Sequence, residues 1–364
     1  MYPFFRSYLF RLDPETAHTL TLNLLRVTAA VPPLNWIVSL SLRSPSKPVT
    51  AFGLTFKNPV GLAAGYDKDA VALRGLAALG FSHLEVGTVT PLPQAGNPRP
   101  RLFRLVQDEA VINRMGFPGR GSEFMQRRLN INLRSGWVER FIGFAPRRAI
   151  RRSYPLGQGT STRLGINIGR NKSTPNEQAV FDYLELLQSF APFADYLTIN
   201  VSSPNTVGLR DLQGRAALEA LLTQLHAQRL LEQKKLEKRI PLLVKLAPDL
   251  SDHELDDAVD VILGTHMDGI IATNTTLERR PGLRSEYRGE SGGLSGGPLR
   301  DRSEIVLQKV VRRVNGEIPV VSVGGIMTPD DAKRRFDMGA VLIQLYTGLV
   351  YRGPGLVREI VRYL

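Results

Sequence analysis

The residues of this 364-residue chain best suited to chemistry recur at one kind of place, the downstream end of an apolar run. The first run ends in Ala64-Gly65-Tyr66-Asp67-Lys68 and the second in Gly87-Thr88, while the third carries Asn167. The fourth ends in Asn200-Val201-Ser202-Ser203-Pro204-Asn205, the fifth holds Lys245, and the sixth ends in Thr273-Asn274-Thr275. Gly324-Gly325 and Tyr346-Thr347-Gly348 close the seventh and eighth. One polar residue at a strand end is ordinarily a turn residue, but eight polar ends in order point to a shared site. Glycine pairs at the last two ends offer backbone N–H groups to a phosphate. Lys245, set between Val244 and Leu246, is costly to bury unless it meets an anion. Lys68 can meet a substrate carboxylate, and asparagine side chains, which donate and accept at once, suit a planar ring bearing amides. Phosphate site, buried cation and amide-reading asparagines together predict flavin mononucleotide (FMN) with a pyrimidine-like substrate.

The elements that must position these groups read as strands and helices in alternation. Eight apolar runs, 59–64, 83–89, 164–169, 196–201, 242–247, 269–273, 319–324 and 340–346, are continuous rather than alternating, as buried parallel strands are. Helix-start signals follow several of them, at Thr174-Pro175-Asn176-Glu177, Ser251-Asp252-His253-Glu254 and Thr328-Pro329-Asp330-Asp331. Strand, loop and capped helix repeated eight times predict an α/β fold, a (β/α)₈ TIM barrel, whose chemistry sits at the C-terminal strand ends. An open doubly wound sheet is the alternative. A hairpin around Gly53 is expected to close the barrel's bottom. The barrel is placed at 49–364 and a small helical N-terminal extension at 1–48, with RSPSKP at 43–48 as linker. In that extension Asp13-Pro14-Glu15 starts a helix. Phe4, Phe5, Tyr8, Leu9 and Phe10 beside Arg6 and Arg11 suit either an interfacial anchor or packing on the body. Near 120–163 the rhythm breaks into an excursion rich in arginine, read as a solvated loop or a contact with anionic lipid. Gly292–Gly297 is either a third lip of the site or a surface loop.

Composition narrows the classes. Hydrophobic residues make up 43% and charged ones 22%, which suits a globular chain. With no Cys and five His, thiolate chemistry is excluded and no metal site is expected. The net charge of +13 is compatible with nucleic acid, an anionic membrane or anionic small molecules. No cleaved signal is expected, and no stretch offers the ~18 uninterrupted apolar residues of a spanning helix. The usual dinucleotide and P-loop glycine patterns are missing, and the G-x-S-x-G match at 293–297 follows polar residues rather than a buried strand.

The stretches AAGYDKD (63–69), GTVTP (87–91), NPRPRLFRL (97–105), INRMGF (112–117), LGINIGRNK (164–172), NVSSPNTVGLR (200–210), KLAPDL (245–250), ATNTT (272–276), GGLSGGPL (292–299), VGGI (323–326) and QLYTG (344–348) closely resemble class 2 dihydroorotate dehydrogenase, the quinone-linked enzyme of pyrimidine synthesis. The resemblance runs from Asp13 onward, the Arg-rich stretch excepted. It implies one FMN per chain, held by Ala64, Gly65, Lys68, Thr88, Asn167, Asn200, Lys245, Thr273, Gly296, Gly325, Tyr346 and Thr347. It implies that Ser203 is the base taking a proton from C5 of dihydroorotate while hydride passes from C6 to the flavin. Orotate contacts then fall on Lys68, Asn113, Arg114, Met115, Gly116, Phe117, Asn200, Asn205, Asn274 and Thr275. A quinone (ubiquinone or menaquinone) would enter by a tunnel passing His18, Arg104 and Tyr346. The resemblance further implies a monomer bound peripherally to the cytoplasmic face of a membrane. Class 1 relatives use a Cys base, which this chain lacks. Thr206 is a candidate proton relay, since a serine hydroxyl is a weak base. Two departures stand out, Tyr66 for Leu or Phe and Val207 for Pro or Ala. Rival readings are a flavin barrel reducing uridines in tRNA, which would need a Cys acid, and an inactive membrane scaffold, against which Ser203, Lys68 and Lys245 argue. Nucleic acid is therefore not expected as a partner.

Overall fold

The computed structural model describes residues 2–134 and 162–364. Eight parallel strands close into a barrel in chain order: Val60–Leu62, His83–Val89, Arg163–Ile168, Tyr196–Asn200, Leu242–Leu246, Gly269–Ala272, Val320–Val323 and Leu342–Leu345. The eighth returns to the first, with Ile343 opposite Val60. Closure rules out the open doubly wound sheet. Every residue of the second, fourth and fifth strands is buried, because helices cover the outside and side chains fill the inside. Outward residues such as Leu84, Ile166, Leu197 and Val244 join the main core with the helices. Inward ones such as Tyr196, Leu243, Ile271, Val321 and Leu342 pack on Phe52 and Phe56 of the hairpin Val49–Ala51/Leu54–Phe56. That hairpin plugs the bottom of the barrel and leaves the C-terminal mouth open.

Local chemistry sets the helix starts. Ser251 and Glu254 form a reciprocal capping box before the helix Asp252–Gly264, as Thr328 and Asp331 do before Pro329–Asp337. Thr174 does not cap. A 3₁₀ turn, Asn176–Gln178, precedes the helix Ala179–Phe190, and the Asn176 side chain instead donates to Gly208 O at 2.7 Å.

The extension consists of helices Tyr2–Leu9, Pro14–Ala30 and Pro32–Ser41. Asp13 caps the second by accepting from Glu15 N and Thr16 N at 3.0 and 2.9 Å. Leu22 and Leu25 pack on the main core. Tyr2 OH donates to Val350 O at 2.6 Å, and Arg6 to Tyr351 O at 2.8 Å. Phe10 packs edge-on against Tyr351, whereas Phe4, Phe5, Tyr8, Leu24, Trp36, Ile37 and Leu40 remain exposed. The aromatics of the first helix thus divide between the two arrangements open to them.

One element is absent from the sequence reading. Leu102–Leu105, Ala110–Asn113 and Gly293–Gly296 form an antiparallel sheet over the barrel mouth, with a core of Phe103, Leu105, Ala110, Ile112 and Leu294. The glycine-rich lip is therefore a paired strand. Of the Arg-rich excursion, Gly121–Arg134 is a helix that buries Met125 and Leu129, and the remainder up to residue 161 lies outside the described residues.

Candidate active site

A cavity opens between the barrel mouth, the antiparallel sheet and the helix Pro14–Ala30, with about 1200 Å³ of empty space counting the part open to solvent. Its walls include Ala64, Gly65 and Lys68 after the first strand, Thr88 at the second, and Asn200, Ser203 and Asn205 after the fourth. Lys245 enters from the fifth strand, Thr273, Asn274 and Thr275 from the sixth, and Gly325, Tyr346 and Thr347 from the last two. Gly296, Asn113, Met115, Gly116 and Phe117 arrive with the antiparallel sheet, and His18 with the extension. Three expected residues stand off the wall: Asn167, Arg114 and Arg104.

One end is shaped for an anion held by backbone. Gly325 has φ +71°, and a Cβ there would lie 2.3 Å from Arg300 Cα. Gly296 has φ +93°, and its Cβ would lie 2.3 Å from Glu109 O. Any side chain would force these loops apart, so both positions require glycine. Thr347 Oγ1 meets Ser295 Oγ at 2.8 Å on the same wall.

The floor is a polar network centred on Glu85, which is fully buried. Glu85 Oε1 accepts from Asn167 Nδ2 at 2.8 Å, and Oε2 accepts from Gln344 Nε2 at 2.7 Å and Tyr196 OH at 3.3 Å. Asn167 Oδ1 in turn accepts from Thr88 Oγ1 at 2.5 Å and Asn200 Nδ2 at 3.1 Å. Asn167 thus stands behind Thr88 and Asn200 and fixes their orientation. The side chain of Lys245, a residue 5% exposed, makes no hydrogen bond among the described residues. Burial lowers its pKa, and the Glu85 carboxylate opposes that shift. Sequence reasoning missed Glu85 and Gln344; their signal was a lone polar residue inside an apolar run.

At the opposite end Ser203, 4% exposed, has Oγ accepting from Asn205 N–H at 3.3 Å. Asn205 Nδ2 donates to Asn113 Oδ1 at 3.0 Å, and Asn274 Nδ2 to Ser202 Oγ at 3.0 Å. Thr275 Oγ1 is buried without a partner among the described residues. Thr206 Oγ1 is also buried and makes no bond to Ser203, so the expected relay is not formed in this conformation. Arg114 turns outward, pairing with Glu290 at 2.6 Å and stacking 4.6 Å over the Phe103 ring. Lys68 Nζ donates to Gly65 O at 2.6 Å. Burial lowers its pKa to about 8. An anionic substrate needs the ammonium form, so kcat/KM for such a substrate should fall as pH rises through about 8. Lys68→Met should lower kcat/KM and remove that descending limb, which a pH–rate series would show.

These residues fit a flavin: a glycine-lined anion end, a buried cation free to meet the ring's polar edge, and side-chain amides between them. The family model for dihydroorotate dehydrogenase matches residues 47–364. The chain belongs to the dihydroorotate dehydrogenase family. It is 45% identical over 365 residues to a dihydroorotate dehydrogenase (quinone) of Idiomarina loihiensis, covering all of both chains. It is 47% identical to the enzyme of that name from Paraburkholderia phymatum, covering 99% of this chain and 96% of that one. Among solved structures it resembles Eimeria tenella DHODH in complex with ferulenol, with TM-score 0.81, 38% identity and coverage of 96% of this chain and 90% of that one. The ligand-free Eimeria protein gives TM-score 0.80 at 39% identity, covering 96% and 94%.

Where this member of the dihydroorotate dehydrogenase family meets its extension, the cavity wall is aromatic. His18 packs edge-on against Tyr66 with centroids 4.9 Å apart, and Tyr66 against Tyr346 at 5.6 Å. Burial, with Lys68 nearby, lowers the His18 pKa to about 4, so its imidazole is neutral at pH 7. Arg104 is spent on the extension instead. It donates to Leu9 O at 3.0 Å and to Leu12 O, and it stacks 4.7 Å over the Phe10 ring.

Proposed function

We infer that this chain oxidises dihydroorotate to orotate in pyrimidine synthesis, as a flavin-containing oxidoreductase that passes its electrons to a quinone. The observation that carries this reading is a single cavity lined by Ser203, Lys245, Gly296 and Gly325 and reached by His18 of the extension. The cofactor proposed is FMN, one per chain; Gly296 and Gly325 would hold its phosphate through backbone N–H groups, and Thr88, Asn200 and Lys245 would hold its ring. When bound, the flavin would supply the acceptor for a hydride and the redox centre between substrate and quinone. The chain's own residues do the rest. Lys68 holds the substrate carboxylate, and Asn113, Asn200, Asn205 and Asn274 read its amide edges, which orients the ring. Ser203 Oγ takes the proton from carbon as its own hydroxyl proton passes on, with Thr206 the proposed relay, and the buried surroundings keep bulk water from competing. Lys245 places positive charge where the ring gains negative charge.

Quinone is proposed to approach past His18, Tyr66 and Tyr346, between the extension and the barrel. The extension exposes Phe4, Phe5, Leu24, Trp36, Ile37 and Leu40, an apolar set suited to lying in a membrane interface. No helix of the described residues is long and apolar enough to cross a membrane. Peripheral binding at the cytoplasmic face, as a monomer, is the arrangement proposed.

The test is anaerobic. Dihydroorotate added to the purified protein should bleach a visible flavin band, and a short-chain quinone should restore it. A colourless protein that cannot be reconstituted with FMN would overturn the reading, and bleaching without recovery would remove the quinone from it.

A further inference from the structure

Asn97 lies off the cavity wall, yet its side chain fastens together the two segments that form the substrate end. Nδ2 donates to Arg114 O at 3.0 Å and to Asn205 O at 3.1 Å, and Oδ1 accepts from Lys172 Nζ at 3.0 Å. Its backbone N–H donates to Met115 O at 2.9 Å. The amide occupies the space beside Gly116, where a Cβ would stand 2.8 Å from it. Arg114 and Met115 belong to the segment that brings Asn113, Gly116 and Phe117 to the cavity. Asn205 belongs to the other, and its N–H is the donor to Ser203 Oγ. Among the described residues, the other side-chain bond joining these segments is Asn205 to Asn113.

Asn97 is itself held. Its carbonyl accepts from Arg101 Nη1 at 2.9 Å, and Arg101 Nη2 donates to Glu15 Oε1 at 2.7 Å on the helix Pro14–Ala30. A line of hydrogen bonds therefore runs from the extension through Arg101 and Asn97 to the loop of Ser203.

We propose that Asn97 is a positioning residue for proton removal: its amide donations set the spacing between the Ser203 loop and segment 113–117, and so the placing of substrate against Ser203 Oγ. This rests on the reading of Ser203 as base and dihydroorotate as substrate. Distance is what matters here, since a misplacement of about 1 Å can cost on the order of 100-fold in rate.

The test uses flavin-loaded Asn97→Asp and Asn97→Ala. Asp keeps the size and the acceptor for Lys172 but loses both amide donations. Both variants should lower the limiting rate of flavin reduction by dihydroorotate about 10- to 100-fold. The orotate dissociation constant, read from the flavin absorption shift, should rise about fivefold, the worth of one neutral hydrogen bond. Flavin content and reoxidation by a short-chain quinone should be unchanged. Reduction of Asn97→Asp at the parent rate would overturn the proposal. So would parallel loss of both half-reactions, or of flavin, because that is the mark of a structural role alone. If dihydroorotate fails to bleach the unsubstituted protein, the underlying reading falls, and this assignment with it.

Discussion

Ser203→Ala should slow flavin reduction by dihydroorotate by roughly 1000-fold, within the range that removal of a general base commonly costs. The substitution deletes one oxygen at a buried position, where Ser203 Oγ receives a single hydrogen bond, from Asn205 N–H at 3.3 Å. Little packing is lost, and the groups proposed to hold flavin and orotate are untouched. Flavin content and orotate affinity should therefore stay near those of the parent, while the rate of bleaching in an anaerobic stopped-flow experiment collapses. Reoxidation of chemically reduced Ser203→Ala by a short-chain quinone should be normal, since no proton leaves carbon in that half-reaction. A variant that bleaches at the parent rate would remove Ser203 from the base role.

Glu85→Gln is expected to act on stability first. Glu85 is fully buried and accepts from Asn167, Gln344 and Tyr196. A glutamine there turns one acceptor into a donor, so the Asn167 or the Gln344 amide must turn over or face N–H against N–H. It also strips Lys245 of the carboxylate that opposes the effect of its burial. Leaving one buried hydrogen-bonding group unsatisfied costs about 1–3 kcal/mol, and the melting temperature should fall by a few degrees, on the order of 2–4 °C per kcal/mol or somewhat less. The sign for Lys245 follows. Burial lowers its pKa and Glu85 raises it, so without Glu85 the ammonium is lost at lower pH. The pH above which flavin reduction declines should shift downward with it. A Lys245→Met change added to Glu85→Gln should recover part of the lost stability, because it removes the uncompensated charge. An unchanged melting curve for Glu85→Gln would show that the network does not hold the barrel together.

Much of the fold was legible because its determinants are local. Strands such as Leu242–Leu246 are apolar at nearly every position, which only a strand buried on both faces tolerates. The capping boxes at Ser251/Glu254 and Thr328/Asp331 lie within four residues and need no distant partner. The polar strand ends announced the cavity for the same reason: a barrel delivers every C-terminal strand end to one face. Thr174 shows the limit, since the capping signal was present but the adjoining turn is tied to Gly208 through Asn176.

The barrel, its hairpin plug and the face on which most of the candidate residues meet can therefore all be read along the chain. Where individual side chains are spent emerges only once the chain is folded. Arg104 goes to the carbonyls of Leu9 and Leu12, Arg114 goes to Glu290, and Asn167 stands behind Thr88. The sheet over the mouth pairs Asn113 with Gly293, 180 residues apart. Glu85 and Asn97, each unassigned in the sequence, gain their roles from partners on other strands and loops. Burial periodicity and capping are written along the chain, but the partner of a polar side chain is set by register and loop closure, which bring together residues that no short window contains.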